Sequence, residues 1–195
     1  GTARILGSAG AIPTVVAGQT AWTVSPSVEN ATASVACPVT STPADSTGAF
    51  DILAGCASTP VSLSSRVFLK VIDPSGNITV LPLGPYVTTD GLGFVAQPGQ
   101  KTVYTTPEGV EVTVPAGAFE DARLVTVSKK DPSTLGVALP SYLEVGAFVD
   151  VDFDGEAKET LRLRVPITTT APIGTLVFAG TQTDLPWGRK LRLID

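Results

Sequence analysis

Short stretches in which apolar and polar residues alternate run along the whole chain, and no segment carries the apolar repeat of an amphipathic helix. In the clearest stretch Val110, Val112 and Val114 alternate with Glu111 and Thr113. This spacing puts the valines on one face of a β-strand and the polar residues on the other. Further strands are predicted at residues 20–25, 31–37, 49–54, 66–73, 77–81, 102–106, 125–128, 145–153, 161–165, 175–180 and 189–194. Many short strands without helices are typical of antiparallel β-sandwiches, so we expect an all-β fold.

Turn-forming residues separate these strands. Asp73-Pro74-Ser75-Gly76 has Asp, Pro and Gly where a type I turn favours them, which predicts a β-hairpin around it. Residues 83–101 are rich in Gly, Pro and Thr and break the alternation. A chain of 195 residues suits two modules of roughly 100 residues each. We therefore predict two tandem antiparallel β-sandwich (Ig-like) domains, at residues 1–87 and 88–195.

The amino-acid composition indicates where the protein is expected to act and which classes of partner it is not expected to bind. Charged residues make up 16% of the chain, against roughly 25% in a typical soluble domain, while 19 Gly and 16 Pro are present. This composition is typical of a secreted or cell-surface β-protein. The net charge of −5 and the scattered Lys and Arg argue against a nucleic-acid partner. No apolar run reaches the roughly 18 residues of a membrane helix, so we expect no membrane insertion.

The chain contains no histidine. Ser-His-Asp and Cys-His relays need an imidazole as base, and most transition-metal sites use at least one His. A carboxylate pair or a Ser-Lys dyad stays chemically open, but neither is indicated by local spacing. We therefore predict a protein that is not an enzyme, with no catalytic residues and no cofactor.

The first half contains three turn-forming segments whose residues are spaced as in the motifs of a known family. They are Gly7–Ile12, Asp45–Phe50 and Asp73–Asn77. Together they resemble the GxxGAxP, DxxGxF and DxxGN pattern of bacterial Ig-like modules. Such modules occur in adhesins and in large secreted Rhs/YD-repeat proteins. The resemblance covers about residues 4–80 and implies an Ig-like sandwich for the first domain.

The second half carries PEGVEVTVPAGAF at residues 107–119. This segment resembles the "Gv.ltiPaGA" signature of the β-sandwich domain shared by ankyrins, netrin receptors and zonula occludens proteins, which has relatives in bacterial surface proteins. Its strand ends at Pro115, which has no N–H for a ladder, and Gly117 permits a sharp turn. Self-cleaving relatives cut at a His-hydrophobic-Ser site, so their activity does not carry over to a chain without His.

The order of these two resemblances, followed by Trp187–Asp195, is similar to the region that precedes or caps YD-repeat shells. It implies structural, spacer or plug modules of a larger secreted or surface-exposed bacterial protein, whose remaining polypeptide is the partner. The alternative is an adhesion module for a carbohydrate or protein partner, which needs an exposed aromatic platform. Aromatic residues make up only 6%, and Trp22 and Trp187 fall in different predicted domains, which favours the spacer. Because the alternation of Leu191–Ile194 runs to the last residues, we expect the natural chain to continue.

The two cysteines are Cys37 and Cys56. The turn Asp45–Gly48 is expected to fold residues 38–44 back on residues 49–55, which sets Cys37 opposite Cys56. Facing Cβ atoms in a non-hydrogen-bonded pair lie within reach of a disulfide. We predict a Cys37–Cys56 disulfide that stabilises by roughly 3 kcal/mol for a loop of about 20 residues. The alternative is two buried free thiols.

The run Asp150–Gly155 matches the first six positions of an EF-hand calcium loop, but the twelfth position, which requires Glu, is Leu161. Residues 145–153 and 161–165 alternate as strands, so we predict a hairpin that binds no metal. On the solvent-exposed face of this hairpin, the predicted register places Asp150 opposite Arg164 and Asp152 opposite Arg162, which gives two cross-strand ion pairs. Such pairs contribute about 0.2–1 kcal/mol each. The alternative is a calcium ion bound by Asp154 and loop oxygens.

Overall fold

The computed structural model describes residues 2–14, 20–29, 42–43, 45–55, 60–167, 172, 175–186 and 188–194, with backbone only at 42–43, 182–185 and 188–194. The chain divides into two compact units, unit 1 (Gly1–Tyr86) and unit 2 (Val87–Asp195). The described elements are antiparallel β-strands and one short 3₁₀ turn, Pro132–Leu135. The predicted all-β class is confirmed. The assignment of residues 1–87 and 88–195 to two particular sandwich domains stays a prediction.

Unit 1 contains six strands within its described residues: β1 (Ala3–Gly7), β2 (Thr23–Glu29), β3 (Thr42–Pro43), β4 (Phe50–Ala54), β5 (Arg66–Ile72) and β6 (Ile78–Pro82). They form a two-stranded sheet, β1-β4, and a four-stranded sheet in the order β3-β2-β5-β6. The strand predicted at residues 31–37 lies outside the described residues.

One apolar core joins the inner faces of these two sheets. The two-stranded sheet contributes Ile5, Ile52 and Ala54, and the four-stranded sheet contributes Val24, Val67, Leu69 and Val71. Every second residue of β5 is buried, as the alternation in the sequence predicts for a strand with one inner face. Two sheets that share one interior in this way are sandwich-like in character.

The hairpin predicted around Asp73–Gly76 is confirmed. Strands β5 and β6 pair antiparallel from Ile72↔Ile78 to Phe68↔Pro82. Gly76 N donates to Asp73 O over 3.0 Å, and Gly76 has φ +86°, a conformation that glycine adopts without steric cost.

Unit 2 contains eight strands within its described residues: β7 (Gly93–Ala96), β8 (Thr102–Thr105), β9 (Glu111–Val114), β10 (Arg123–Lys130), β11 (Phe148–Phe153), β12 (Arg162–Arg164), β13 (Ala179–Leu185) and β14 (Gly188–Ile194). The sheet orders are β11-β10-β7, β12-β9-β8 and the hairpin β13-β14. The two three-stranded sheets share a second core formed by Phe94, Ala96, Val110, Val112, Val114, Ala118, Phe119, Val125 and Val127.

The VPAGA segment lies at the end of β9. Val110, Val112 and Val114 are buried, as their alternation predicts, and Ala118 and Phe119 continue the core after the turn. Gly117 has φ +87°, which confirms the expected turn at this glycine.

The hairpin predicted between residues 145–153 and 161–165 is wrong. Strand β11 pairs with β10, with Asp150 opposite Ser128 and Asp152 opposite Thr126. Strand β12 belongs to the other sheet and pairs with β9. Val151 of β11 and the residues on either side of β12, Leu161 and Val165, pack against one core although the two strands belong to different sheets. The local alternation is therefore the same as it would be in a hairpin.

The two predicted ion pairs fail with that hairpin. Arg164 lies opposite Glu111, and Arg162 lies opposite Thr113. Because β11 and β12 are in different sheets, Asp150 does not face Arg164 and Asp152 does not face Arg162.

Candidate functional site

The sequence-predicted cysteines, Cys37 and Cys56, lie outside the described residues, as does Trp187. Around them, β4 has β1 as its partner, with Ile5 opposite Ile52. The short strand β3 pairs with β2. The expected pairing of residues 38–44 with residues 49–55 is thus wrong in its described part. The Cys37–Cys56 disulfide itself stays a prediction, because both cysteines lie outside the described residues.

The acidic run at the end of β11 is open to solvent. Asp150 lies 3.6 Å from the Lys130 ammonium, and Asp154 lies 3.6 Å from the Arg123 guanidinium. Within the described part of the chain, no three metal-ligating side chains lie together where they could hold one ion. The depression that follows, at residues 153–161, is shallow and carries Lys158 beside Glu156 and Glu159.

Other surface carboxylates hold turns or partner strands together. Asp45 accepts hydrogen bonds from the backbone N–H of Thr47 at 2.8 Å and of Ala49 at 3.0 Å. Asp90 accepts from Leu92 N at 2.9 Å. Across the β1-β4 pair, Arg4 donates to Asp51.

These hydrogen bonds favour the charged carboxylate. The side-chain hydrogen bond from Thr47 is the largest cause that lowers the pKa of Asp45, and the bond from Thr88 is the largest for Asp90. For Asp51 the lowered pKa has its largest cause in the hydrogen bond from Arg4.

An exposed apolar surface lies on the outer side of the β5-β6 hairpin and is called the hairpin face. Its β5 side chains alternate with those that enter the core of unit 1, and the register places three β6 side chains beside them. The face consists of Phe68, Lys70, Ile72, Ile78, Val80 and Pro82. Ile78 is 57% exposed and Val80 is 55% exposed. All five residues of β6 are exposed, and none of them carries a charge.

Strand β6 is the outermost strand of its sheet, and within the described residues its only strand partner is β5. The ladder is anchored by hydrogen bonds from Asp73 N to Asn77 O at 3.0 Å and from Leu83 N to Val67 O at 2.9 Å. Antiparallel ladders alternate hydrogen-bonded and non-bonded pairs. Counting between these two anchors, Ile78 and Val80 are in non-bonded pairs.

The backbone N–H and C=O groups of Ile78 and Val80 therefore point away from β5, to the open side of the sheet. Pro82 has the same orientation but no N–H. These outward groups of Ile78–Pro82 are called here the β6 edge.

Lys70 lies in the middle of the hairpin face, opposite Val80. In the described part of the chain, no carboxylate lies within ion-pair distance of its ammonium group. The hairpin face thus combines an apolar surface, a lysine with no carboxylate partner among the described residues, and two outward donor–acceptor pairs of the backbone.

Sequence reasoning predicted the hairpin but did not single out Ile78 or Val80. The available signal was the absence of charge in Ile78–Pro82, since natural edge strands commonly carry lysine. That signal becomes informative only when the order of strands in the sheet is known.

The fold and this surface define an all-β protein of antiparallel sheets in which an uncharged strand, β6, lies at a sheet edge among the described residues. In comparisons with protein-family models, curated proteins and solved structures, nothing matches the chain. Among the described residues no helix has the length and apolar character needed to cross a bilayer.

Proposed function

We propose that the chain is a non-catalytic structural module of a larger secreted or surface-exposed bacterial protein, and that it binds an extended segment of a protein partner at the β6 edge. The observation that carries the proposal is the outward backbone of Ile78 and Val80 on an uncharged edge strand. Adding a strand to such an edge is a common mode of peptide recognition, in which main-chain hydrogen bonds supply affinity and alternate side chains supply specificity.

The hairpin face defines the chemistry of the partner segment. The apolar side chains of the partner segment are expected to pack beside Ile78 and Val80. They lie on the side of the sheet where Phe68 and Ile72 are half-buried. Lys70 favours a carboxylate on that same side, because its ammonium has no acidic partner among the described residues. The expected segment alternates apolar and polar residues and places one acidic residue on the apolar side.

A glycan partner has less support than a protein partner. Sugar-binding surfaces use clustered exposed aromatic rings. Among the described residues Tyr142 and Phe178 are exposed, but the two ring contacts, Phe94–Tyr104 and Phe119–Phe153, involve core residues of unit 2 and neither exposed ring. A pure spacer is the second candidate. The spacer is favoured by the turns at Asp45 and Asp90, in which the aspartate side chain accepts hydrogen bonds from the backbone. Such bonds make the loops between strands more rigid but form no binding surface.

Binding of short synthetic peptides tests the proposal. The probe is a fluorescent peptide of about seven alternating valines and threonines in which one valine is replaced by glutamate. We expect the protein to raise its fluorescence anisotropy, and we expect weaker binding when lysine replaces the glutamate. No binding of either peptide at millimolar concentration would leave the spacer as the better proposal.

Two variants connect binding to the β6 edge. Val80→Pro removes an outward N–H without removing a bond to β5, and proline is tolerated on edge strands for this reason. We expect it to lose peptide binding, while the control Thr79→Ala, whose N–H points to β5, keeps it. Val80→Lys adds an edge charge and gives an independent test should the proline variant fold poorly. Wild-type affinity in folded Val80→Lys would contradict the proposal.

A further inference from the structure

The sequence contains two Asp-Gly dipeptides, Asp90-Gly91 and Asp154-Gly155, and both fall in unit 2. Asp-Gly bonds are chemically special, because glycine has no side chain to shield its backbone nitrogen from the neighbouring carboxyl group. The two dipeptides have the same sequence chemistry, so differences in their behaviour come from their surroundings.

The first dipeptide is held on both sides of the bond. The Asp90 carboxylate accepts hydrogen bonds from Thr88 Oγ1 and from Leu92 N. The Gly91 nitrogen donates to Thr88 O over 2.9 Å. A second backbone bond, from Thr88 N to Gly93 O at 2.8 Å, closes the same turn. Neither the carboxylate nor the nitrogen can approach the other without breaking these bonds.

The second dipeptide lies just past the end of β11, whose last ladder pair is Val125↔Phe153. The Asp154 side chain is 96% exposed, and within the described residues its contact is the Arg123 guanidinium at 3.6 Å. Among the hydrogen bonds of the described residues, none has the Gly155 nitrogen as donor. Gly155 has φ +84°, and a Cβ added there would meet nothing closer than Arg123, so the surroundings are open.

The geometry points to Asp154-Gly155 as a site of spontaneous isoaspartate formation, with Asp90-Gly91 protected by its turn. In this reaction the Gly155 nitrogen attacks Cγ of the protonated Asp154 carboxyl group. A C–N bond forms, the carboxyl hydroxyl leaves with the amide proton as water, and a cyclic imide results. Water then adds to one of the two imide carbonyls. Opening at the side-chain carbonyl restores aspartate, and opening at the main-chain carbonyl gives isoaspartate, with no change in net atoms.

The modification would alter the chain where β11 leaves its sheet. In isoaspartate the main chain runs through Cβ and Cγ, so it is longer by one methylene, and the carboxylate sits directly on the α carbon. The carboxylate is thereby displaced from its place beside Arg123. The loop at residues 155–160 then starts from a shifted position.

The test compares the two dipeptides within one molecule. The folded protein is aged at neutral pH and physiological temperature, digested, and mapped by mass spectrometry with electron-transfer fragmentation, which distinguishes isoaspartate from aspartate. We expect isoaspartate at residue 154 to exceed that at residue 90 several-fold. In protein aged in denaturant the two levels should converge, because the turn at residues 88–93 is lost.

A variant confirms the position. Asp154→Glu keeps the charge but requires a six-membered ring, so it should abolish the signal at residue 154 and leave residue 90 unchanged. Equal isoaspartate at both dipeptides in the folded protein would overturn the inference. So would its absence at residue 154 over a period in which the denatured protein forms it.

Discussion

The hydroxyl oxygen of Tyr86 accepts a hydrogen bond from the backbone N–H of Val67 over 2.9 Å. Val67 is buried in the core of unit 1, and the Tyr86 ring packs against that core. Tyr86→Phe keeps the ring but leaves the N–H without its acceptor. We expect the free energy of unfolding to fall by about 1–2 kcal/mol.

Urea unfolding followed by the fluorescence of Trp22, which also packs on this core, measures the effect. Tyr142→Phe is the matched control, since Tyr142 is 83% exposed, and it should leave the unfolding curve unchanged. Identical curves for both variants would show that the Tyr86 hydroxyl does not stabilise the unit.

Alanine substitutions at two glycines of unit 1 distinguish the cost of a left-handed backbone from the cost of a steric overlap. Gly10 has φ +82° with open space around an added Cβ, whereas Gly48 has φ +79° and an added Cβ would overlap the Ile12 carbonyl oxygen. We expect Gly10→Ala to cost about 1–2 kcal/mol through its left-handed backbone alone. Gly48→Ala should cost clearly more, because the backbone near Ile12 must also move. Thermal unfolding of the two variants measures the difference. Equal losses of Tm would show that the overlap with the Ile12 carbonyl oxygen adds no cost.

The turn at Asp73 makes unit 1 sensitive to acid. Hydrogen bonds from the Asn77 side chain, then from Asn77 N, lower the pKa of Asp73 in the folded protein. A group with a lowered folded pKa stabilises fully above its unfolded pKa, about 3.9 for Asp, and this stabilisation is lost as pH falls through the folded pKa. Asp73→Asn should therefore flatten the pH dependence of stability in this acid range.

Nuclear magnetic resonance titration of the carboxyl carbons measures the same effect directly. The Asp73 midpoint should lie below the ordinary value in the wild-type protein. In Asn77→Ala, which removes the side-chain donor, it should move upward. A midpoint that stays fixed in Asn77→Ala would contradict this assignment of the cause.

A double-mutant cycle distinguishes the observed partner of Asp150 from the one predicted from sequence. Asp150 lies 3.6 Å from Lys130, and both side chains are about half exposed. We expect a coupling energy of about 0.2–1 kcal/mol between Asp150→Ala and Lys130→Ala. The cycle with Arg164→Ala should give no coupling, because Arg164 lies in the other sheet, opposite Glu111. Coupling to Arg164 and not to Lys130 would contradict the observed pairing.

The sequence encodes local features of this fold well. The hairpin at Asp73–Gly76 followed from three residues whose backbone preferences suit one turn. The buried faces of β5 and β9 followed from alternation, which depends only on neighbours along the same strand.

The sequence did not indicate in the same way which strands are neighbours in a sheet, or which charged residues face each other. Asp150 and Arg164 have complementary charge, but so do Asp150 and Lys130, and so do Arg164 and Glu111. Charge complementarity therefore allowed two arrangements, and nearness in the sequence favoured the wrong one. The β6 edge was missed for a related reason, since an edge is defined by the order of strands and not by the strand itself.

The position of β9 between β8 and β12 has a consequence for the order of events during synthesis. The β8-β9 hairpin can form as soon as it leaves the ribosome, but β12 follows about 50 residues later in the chain. Until then, the Glu111–Val114 strand has one open side, and a nascent chain held nearby could pair with it. Translation speed between these two strands thus sets how long the growing protein is exposed to misassembly.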